Sequence, residues 1–181
     1  AVINAEGLMA RAQAETFSSG TCPEGVVLLL MAVDTQDTWL ETTVWGFGRG
    51  EEMWRIWHQK VEGSPAEADV WEQIDSIRRT EWPMEGGGTL TVRHCGLDTG
   101  GHFTQEAYEY CRQRSREGVV ALKGSSTKAA PALGKGSRVD VNARGQTIKK
   151  GLTLYQVGGD TLKRTIYARL KKDAPGPGAI H

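Results

Sequence analysis

The sequence predicts one mixed α/β domain, a central sheet with helices packed on it, and three observations lead there. A chain of 181 residues is long enough for one domain with a proper core and too short for two of ordinary size. Three β-rich runs come first, VVLLLMAVD, ETTVWGFG and MWRIWHQKVEG, and strand-like and helix-like segments then alternate to the end, an order that builds a mixed sheet flanked by helices. Two separate strand-like runs, residues 26–34 and 89–98, each stop at an aspartate followed by a turn, in AVDTQ and GLDTGG. The carboxyl ends of strands in α/β sheets are where ligand sites form, because the loops diverge there.

Taken in order, residues 6–18 read as a helix leading into the domain. The unbroken apolar run from Val26 to Val33 reads as a strand buried on both faces in the middle of the sheet. ETTVWGFG and MWRIWHQKVEG complete a three-stranded meander, with hairpin turns near Thr35–Thr38 and Gly48–Glu51. Ser64-Pro65 opens PAEADVWEQIDSIRRTEW, where Val70, Ile74 and Ile77 recur at helical spacing and acids fill the first turn. GGG at 86–88 breaks the chain before the strand TLTVRHCGLD, and a helix over 103–116 and a short strand GVVALKG follow. Residues 125–150, rich in Gly, Ser and Lys, read as a basic excursion with little strand. GLTLYQVG is a strand, DTLKRTIYARLKK a helix and APGPGAIH a closing loop. Five tryptophans (39, 45, 54, 57 and 71) read as packing of core and meander rather than base-stacking platforms; Trp82, beside Pro83, is left open.

Composition narrows the function classes. The apolar fraction and six Trp mark a folded globule rather than a disordered segment. No apolar run approaches the roughly 18–20 residues needed to cross a bilayer, and the first residues lack the layout of a signal peptide, so the expectation is a soluble cytosolic protein with no membrane partner. Cys22, Cys95 and Cys111 share no metal-like spacing, and their odd number speaks against a disulfide framework. Net charge is zero, but residues 1–100 carry seven Lys/Arg against 16 Asp/Glu, and residues 101–181 carry 15 against six. So sharp a division implies an acidic and a basic surface. The basic clusters CRQRSREG, LKGSSTKAAPALGKGSR and LKRTIYARLKK are interspersed with Gly and Ser, which suits a phosphate backbone; solvated surface charge is the competing explanation.

Asp34 and Asp98 form the constellation with chemical content. Two carboxylates at adjacent strand ends repel unless a cation neutralises them, and oxygen ligands suit Mg²⁺ or Mn²⁺. A pair of such ions about 4 Å apart can activate water and stabilise a leaving oxygen in phosphodiester cleavage. The alternative is that each aspartate caps a turn or the next helix. Asp37 fits a turn former, and Glu41 a strand residue close to Asp34 that faces solvent. The four histidines share no spacing and none is assigned to metal.

The segments AVDTQ, ETTVWGFGRGEE, LDTGG, VVALKGSS, VGGDTLKRTIYARL and PGPGAIH, in this order and spacing, resemble the nuclease domain of the large terminase subunit of lambda-like tailed bacteriophages. The resemblance runs from about residue 20 to the end. It implies an RNase H-like fold and an endonuclease that uses two Mg²⁺ or Mn²⁺ ions to cut concatemeric viral DNA during packaging in the bacterial host's cytoplasm. Its partners would be double-stranded DNA, the terminase ATPase domain, the small terminase subunit and the portal. The family's first acid maps onto Asp34 and the acid of its Asp-Thr-Gly-Gly motif onto Asp98. No phosphate loop of the Gly-x-x-x-x-Gly-Lys-Ser/Thr kind occurs, so residues 1–20 read as a linker from an absent ATPase domain and 21–181 as the nuclease. The family's third acid lies on a helix near the C-terminus, which this sequence stops short of, so the expectation includes weak metal affinity. Asp160, in the family's Gly-x-Asp-Thr-x-Lys segment, is the candidate third catalytic acid, against a reading as helix N-cap; Glu41 is the other candidate. Lys123, matching the family's Lys-Gly pair, and Lys128 and Lys163 are candidate DNA contacts. Two rivals stay open: another RNase H-like nuclease of the resolvase or integrase type, and a non-catalytic DNA-binding or assembly module of the same fold.

Overall fold

A computed structural model gives residues 4–181. Its centre is a sheet of seven strands: β1 (Leu28–Thr35), β2 (Trp39–Phe47), β3 (Met53–Glu62), β6 (Val92–Asp98), β7 (Val119–Gly124), β8 (Leu133–Ala143) and β9 (Gln146–Val157). A separate short ribbon pairs β4 (Trp82–Pro83) with β5 (Thr89–Leu90). Across the sheet the order is β3-β2-β1-β6-β7-β9-β8. The β1–β2–β3 meander is antiparallel, β1, β6, β7 and β9 run parallel, and β8 returns antiparallel on β9. With its flanking helices this is the mixed sheet of an RNase H-like domain, and the expected meander, strands and order of helices are present.

Alternation explains which face is buried. Leu29, Met31 and Val33 of β1, Leu40 and Val44 of β2, Cys95 and Leu97 of β6, and Val119 and Ala121 of β7 point to one side. There they join one core with Val70, Ile74 and Ile77 of α2 (Ala68–Arg78) and Ala107, Tyr110 and Cys111 of α3 (Thr104–Gln113). Trp71 of α2 stacks on Tyr110 of α3 at 4.6 Å. The two helices are also joined by a buried ion network. Asp75 accepts from Arg114 Nε at 2.7 Å, from Arg78 at 3.2 Å and from the Tyr110 hydroxyl at 2.8 Å.

Two expectations are corrected. β1 is not buried on both faces: Leu28 and Ala32 of its other face are exposed and Leu30 is half-buried, because α2 and α3 cover only one side of the sheet. Residues 125–150 are not a loose excursion. Most of the segment belongs to the β8–β9 ribbon, closed by a two-residue turn at Arg144 (φ 51) and Gly145 (φ 74), the left-handed pair that a tight hairpin requires. The closing segment is the expected loop, tied down at its end. Ile180 bridges Met53 in parallel, and His181 stacks on Trp54 at 5.2 Å.

The lead-in helix α1 (Ala5–Ala14) buries no residue and is held from one side, with Arg11 donating to the carbonyls of Leu170 and Ile180. The last helix, α4 (Gly159–Arg169), also buries none. All six tryptophans are buried or half-buried, and Trp82, the doubtful one, is 6% exposed. No helix among the described residues is long and apolar enough to cross a membrane.

Candidate nuclease site

β1 and β6 lie side by side and run the same way, paired up to Val33 with Leu97. One further residue along that register sets Asp34 beside Asp98, on the face opposite the helical core. The strand ends are tied together by Thr35, whose hydroxyl donates to the Asp98 carbonyl at 3.0 Å. Asp34 is exposed and Asp98 partly so. Each carboxylate is oriented by a neutral donor: Gln36 Nε2 reaches Asp34 Oδ2 at 2.7 Å, and the Gly100 amide reaches Asp98 Oδ1 at 2.9 Å. The Asp98 turn is thus the one that an aspartate makes with the amide two residues on. Two carboxylates stand on neighbouring strands, and among the described residues their hydrogen-bond partners are neutral groups.

Glu41 of β2 pairs directly with Asp34 in register, so its side chain lies on the same face. Its carboxylate meets His58 Nε2 at 2.5 Å. Asp37 and His102 stand at the same rim. His102 Nδ1 lies 2.9 Å from Asp37 Oδ1 and 3.1 Å from Oδ2, linking the turn after Asp34 to the loop after Asp98. Among the described residues no three His, Cys, Asp or Glu side chains are gathered closely enough to hold a metal ion together.

Asp160 stands elsewhere. It is exposed in the first turn of α4, whose N-cap is Gly158 rather than Asp160. It follows β9, the third strand from β1; at about 4.8 Å per strand that is some 14 Å away. Asp160 shares a surface recess with Lys128, Lys163, Arg164 and Tyr167. The sequence thus brought two of its three candidate DNA contacts, Lys128 and Lys163, to one place. Lys123 is exposed at the end of β7, but alternation with Val119 and Ala121 puts it on the face opposite Asp98. Lys135, Arg138, Arg144, Lys149 and Lys150 are all exposed along the β8–β9 ribbon.

The Asp37–His102 and Glu41–His58 pairs escaped the sequence reading because spacing was sought within single segments. The signal was positional: Asp37 lies three residues past Asp34, and His102 four past Asp98.

The fold is that of an RNase H-like domain, with two aspartates at the ends of adjacent parallel strands. The chain belongs to the terminase large subunit gpA endonuclease domain family, whose model matches residues 2–181. It is similar to the terminase large subunit of Escherichia phage lambda, 28% identical over 174 residues, which is 94% of this chain and 26% of that protein. The terminase large subunit of Enterobacteria phage P21 is 28% identical over 151 residues, 83% of this chain and 22% of the relative. The chain thus spans about a quarter of the length of these relatives. No solved structure matches it.

Proposed function

We propose that this domain is the divalent-metal-dependent DNA endonuclease of a packaging terminase, cutting concatemeric viral DNA in the host cytoplasm as part of a complex with an ATPase domain, a small subunit and a portal. The observation that carries this reading is the pair of like-charged carboxylates on one face, side by side on β1 and β6, whose hydrogen-bond donors among the described residues are neutral. Such a pair repels itself unless a cation lies between.

The donor set fits hard oxygen-seeking ions. Asp34 and Asp98 would hold Mg²⁺ or Mn²⁺, with Glu41, the cross-strand neighbour of Asp34, a further carboxylate on the same face once freed from His58. When bound, two such ions supply Lewis acidity for activating water and stabilising the leaving oxygen. The protein's own part is orientation. Thr35 fixes the spacing of the two strand ends, and Gln36 and Gly100 aim the carboxylates. The exposed cations of the β8–β9 ribbon and of the Lys128–Lys163–Arg164 recess would grip the DNA backbone with little base preference.

The test is Mn²⁺-dependent plasmid nicking by wild type and Asp34→Asn, with DNA retention followed against salt. Nicking by wild type and none by Asp34→Asn is expected, with retention alike. Equal nicking by the two proteins removes the catalytic reading. Salt-sensitive retention with no nicking by either leaves a DNA-binding module instead.

A further inference from the structure

Two loops rise beside the paired aspartates, and one side-chain pair joins them. The turn after Asp34 contributes Asp37, and the loop after Asp98 contributes His102, four residues past that acid. Both carboxylate oxygens of Asp37 converge on the same ring nitrogen, Nδ1, at 2.9 and 3.1 Å. The Asp37 carboxylate can only accept, so Nδ1 carries the hydrogen it donates, and in the neutral ring Nε2 then keeps the lone pair. No hydrogen bond to Nε2 is made among the described residues. The carboxylate–Nδ1–Nε2 arrangement is the one that orients an imidazole as a base.

Stability does not account for the pair. Its side chains are 83% and 62% exposed, and exposed ion pairs contribute about 0–1 kcal/mol. Chemistry at the rim does leave a post to fill. Asp34 and Asp98 would serve as cation ligands, Glu41 and His58 hold each other at 2.5 Å, and Lys60 is held by Glu62 at 2.8 Å. His102 follows Asp98 by four residues and is tied to the turn after Asp34, and its Nε2 makes no hydrogen bond among the described residues.

We propose that His102 is the proton acceptor for the attacking water in DNA strand cleavage, its ring set by Asp37; this rests on the nuclease reading of Asp34 and Asp98. The water oxygen bonds to phosphorus while one bridging P–O bond breaks. The water's proton passes to His102 Nε2, the departing bridging oxygen takes a proton from solvent, and Nε2 then releases its own to solvent. The titratable groups on the neighbouring elements are Asp34 and Asp37 on the β1 side, Glu41 on β2, His58 on β3, Asp98 on β6 and Glu106 in the first turn of α3.

The experiment measures Mn²⁺-dependent nicking by wild type, His102→Ala, His102→Gln, Asp37→Ala and Asp34→Asn from about pH 5 to about pH 9, the range that brackets an imidazole. Mn²⁺ binding by calorimetry and DNA retention are measured on the same proteins. The two His102 variants are expected to lose roughly 10²-fold in rate and the fall of rate toward acid pH, with Mn²⁺ binding and DNA retention unchanged. Free imidazole restores part of the His102→Ala rate, in proportion to its neutral form, and Asp37→Ala loses less than His102→Ala. If the His102 variants nick like wild type while Asp34→Asn does not, the proton-acceptor role falls and the nuclease reading stands. Loss of Mn²⁺ binding with the rate, or no rescue by imidazole, also overturns the role by making the residue structural. If Asp34→Asn matches wild type, or wild type does not nick, both fall together.

Discussion

The hydroxyl of Thr35 donates to the main-chain carbonyl of Asp98 across 3.0 Å, so the strand that carries one rim acid grips the strand that carries the other. The bond sits where ladder pairing between β1 and β6 ends, past Val33–Leu97, and holds the two strand ends from splaying. Thr35→Val keeps the shape and removes the donor. It is expected to cost about 1 kcal/mol, read as a small fall in Tm. Mn²⁺-dependent nicking should fall further than that loss of folded protein explains, because the spacing of the two carboxylates loosens. Nicking unchanged in folded Thr35→Val would show that the ladder alone sets the spacing.

The rim acids should be a stability liability. Asp34 and Asp98 are neighbours of like sign whose partners are neutral, so neutralising one removes repulsion. Asp34→Asn and Asp98→Asn are each expected to melt at or above the wild-type temperature, by about 1 kcal/mol or less at low salt, with the gain shrinking as salt rises. Cleavage should fall at least about 100-fold in both. Thermal melts at two ionic strengths check this, and a clear loss of stability would mean that the carboxylates serve as turn caps.

Asp75 is the opposite kind of aspartate. Burial pushes its carboxyl up, but hydrogen bonds from Arg114, Tyr110 and Arg78 outweigh that, and the net shift is downward. A carboxylate held below its unfolded value stabilises the fold above the ordinary range near pH 4, and the contribution is lost as pH falls through its lowered folded value. Asp75→Asn takes the carboxylate away from Arg114, whose side chain is 19% exposed, while Arg78 keeps its pair with Glu117 at 2.5 Å. A loss of about 3–5 kcal/mol is expected near neutral pH. The gap between wild type and variant should narrow in acid, which urea melts across pH will reveal.

Why the fold was legible and the site only half so follows from these residues. Leu29, Met31 and Val33 alternate with Leu28, Leu30 and Ala32; since all six are apolar, composition marks a strand without saying which side is covered. What uncovers one face is that α2 and α3 pack together on the other, a tertiary fact. Asp34 and Asp98 were readable because each ends a strand before a turn. β8 and the first half of β9 were not, because Gly134, Gly136 and the charges along them hide the alternation of Val139 and Val141, whereas GLTLYQVG, the second half of β9, reads as a strand; Arg144-Gly145 was the one turn signal available. The Asp37–His102 link spans 65 positions, beyond any local pattern.

The three cysteines should be chemically silent in the folded protein. All are free and buried. Burial pushes the Cys95 thiol up to about 12, and raises Cys22 and Cys111 as well. A thiol reacts as its thiolate, so labelling by an aromatic disulfide reagent at pH 8 should proceed only as the chain opens. The rate should rise with denaturant in step with unfolding and reach three thiols per chain in the unfolded state. Fast labelling of one thiol under native conditions would locate a weak point in the core.

The closing segment is expected to matter for stability and not for cleavage. Gly50, in the β2–β3 turn, has φ 66, and a Cβ there would lie 2.7 Å from Pro177 Cβ. His181 stacks on Trp54, and its two ring nitrogens each meet a carboxylate, Glu15 at 2.8 Å and Glu52 at 2.8 Å. Gly50→Ala both strains the turn and pushes the segment off. His181→Ala removes the stack and both polar contacts while leaving the backbone free to pair. Each is expected to cost about 1–3 kcal/mol. The Met53 and Arg55 amides, which donate to Ala179 and His181 carbonyls, should exchange hydrogen faster in both. These contacts gather at the end of β3 where its ladder reaches Phe47, which pairs with Leu28 at the start of β1. Asp34 lies six residues along β1, about 20 Å away at the rise of an extended strand. Nicking per folded molecule should therefore match wild type, and a specific loss of cleavage in either variant would place the closing segment in the catalytic machinery.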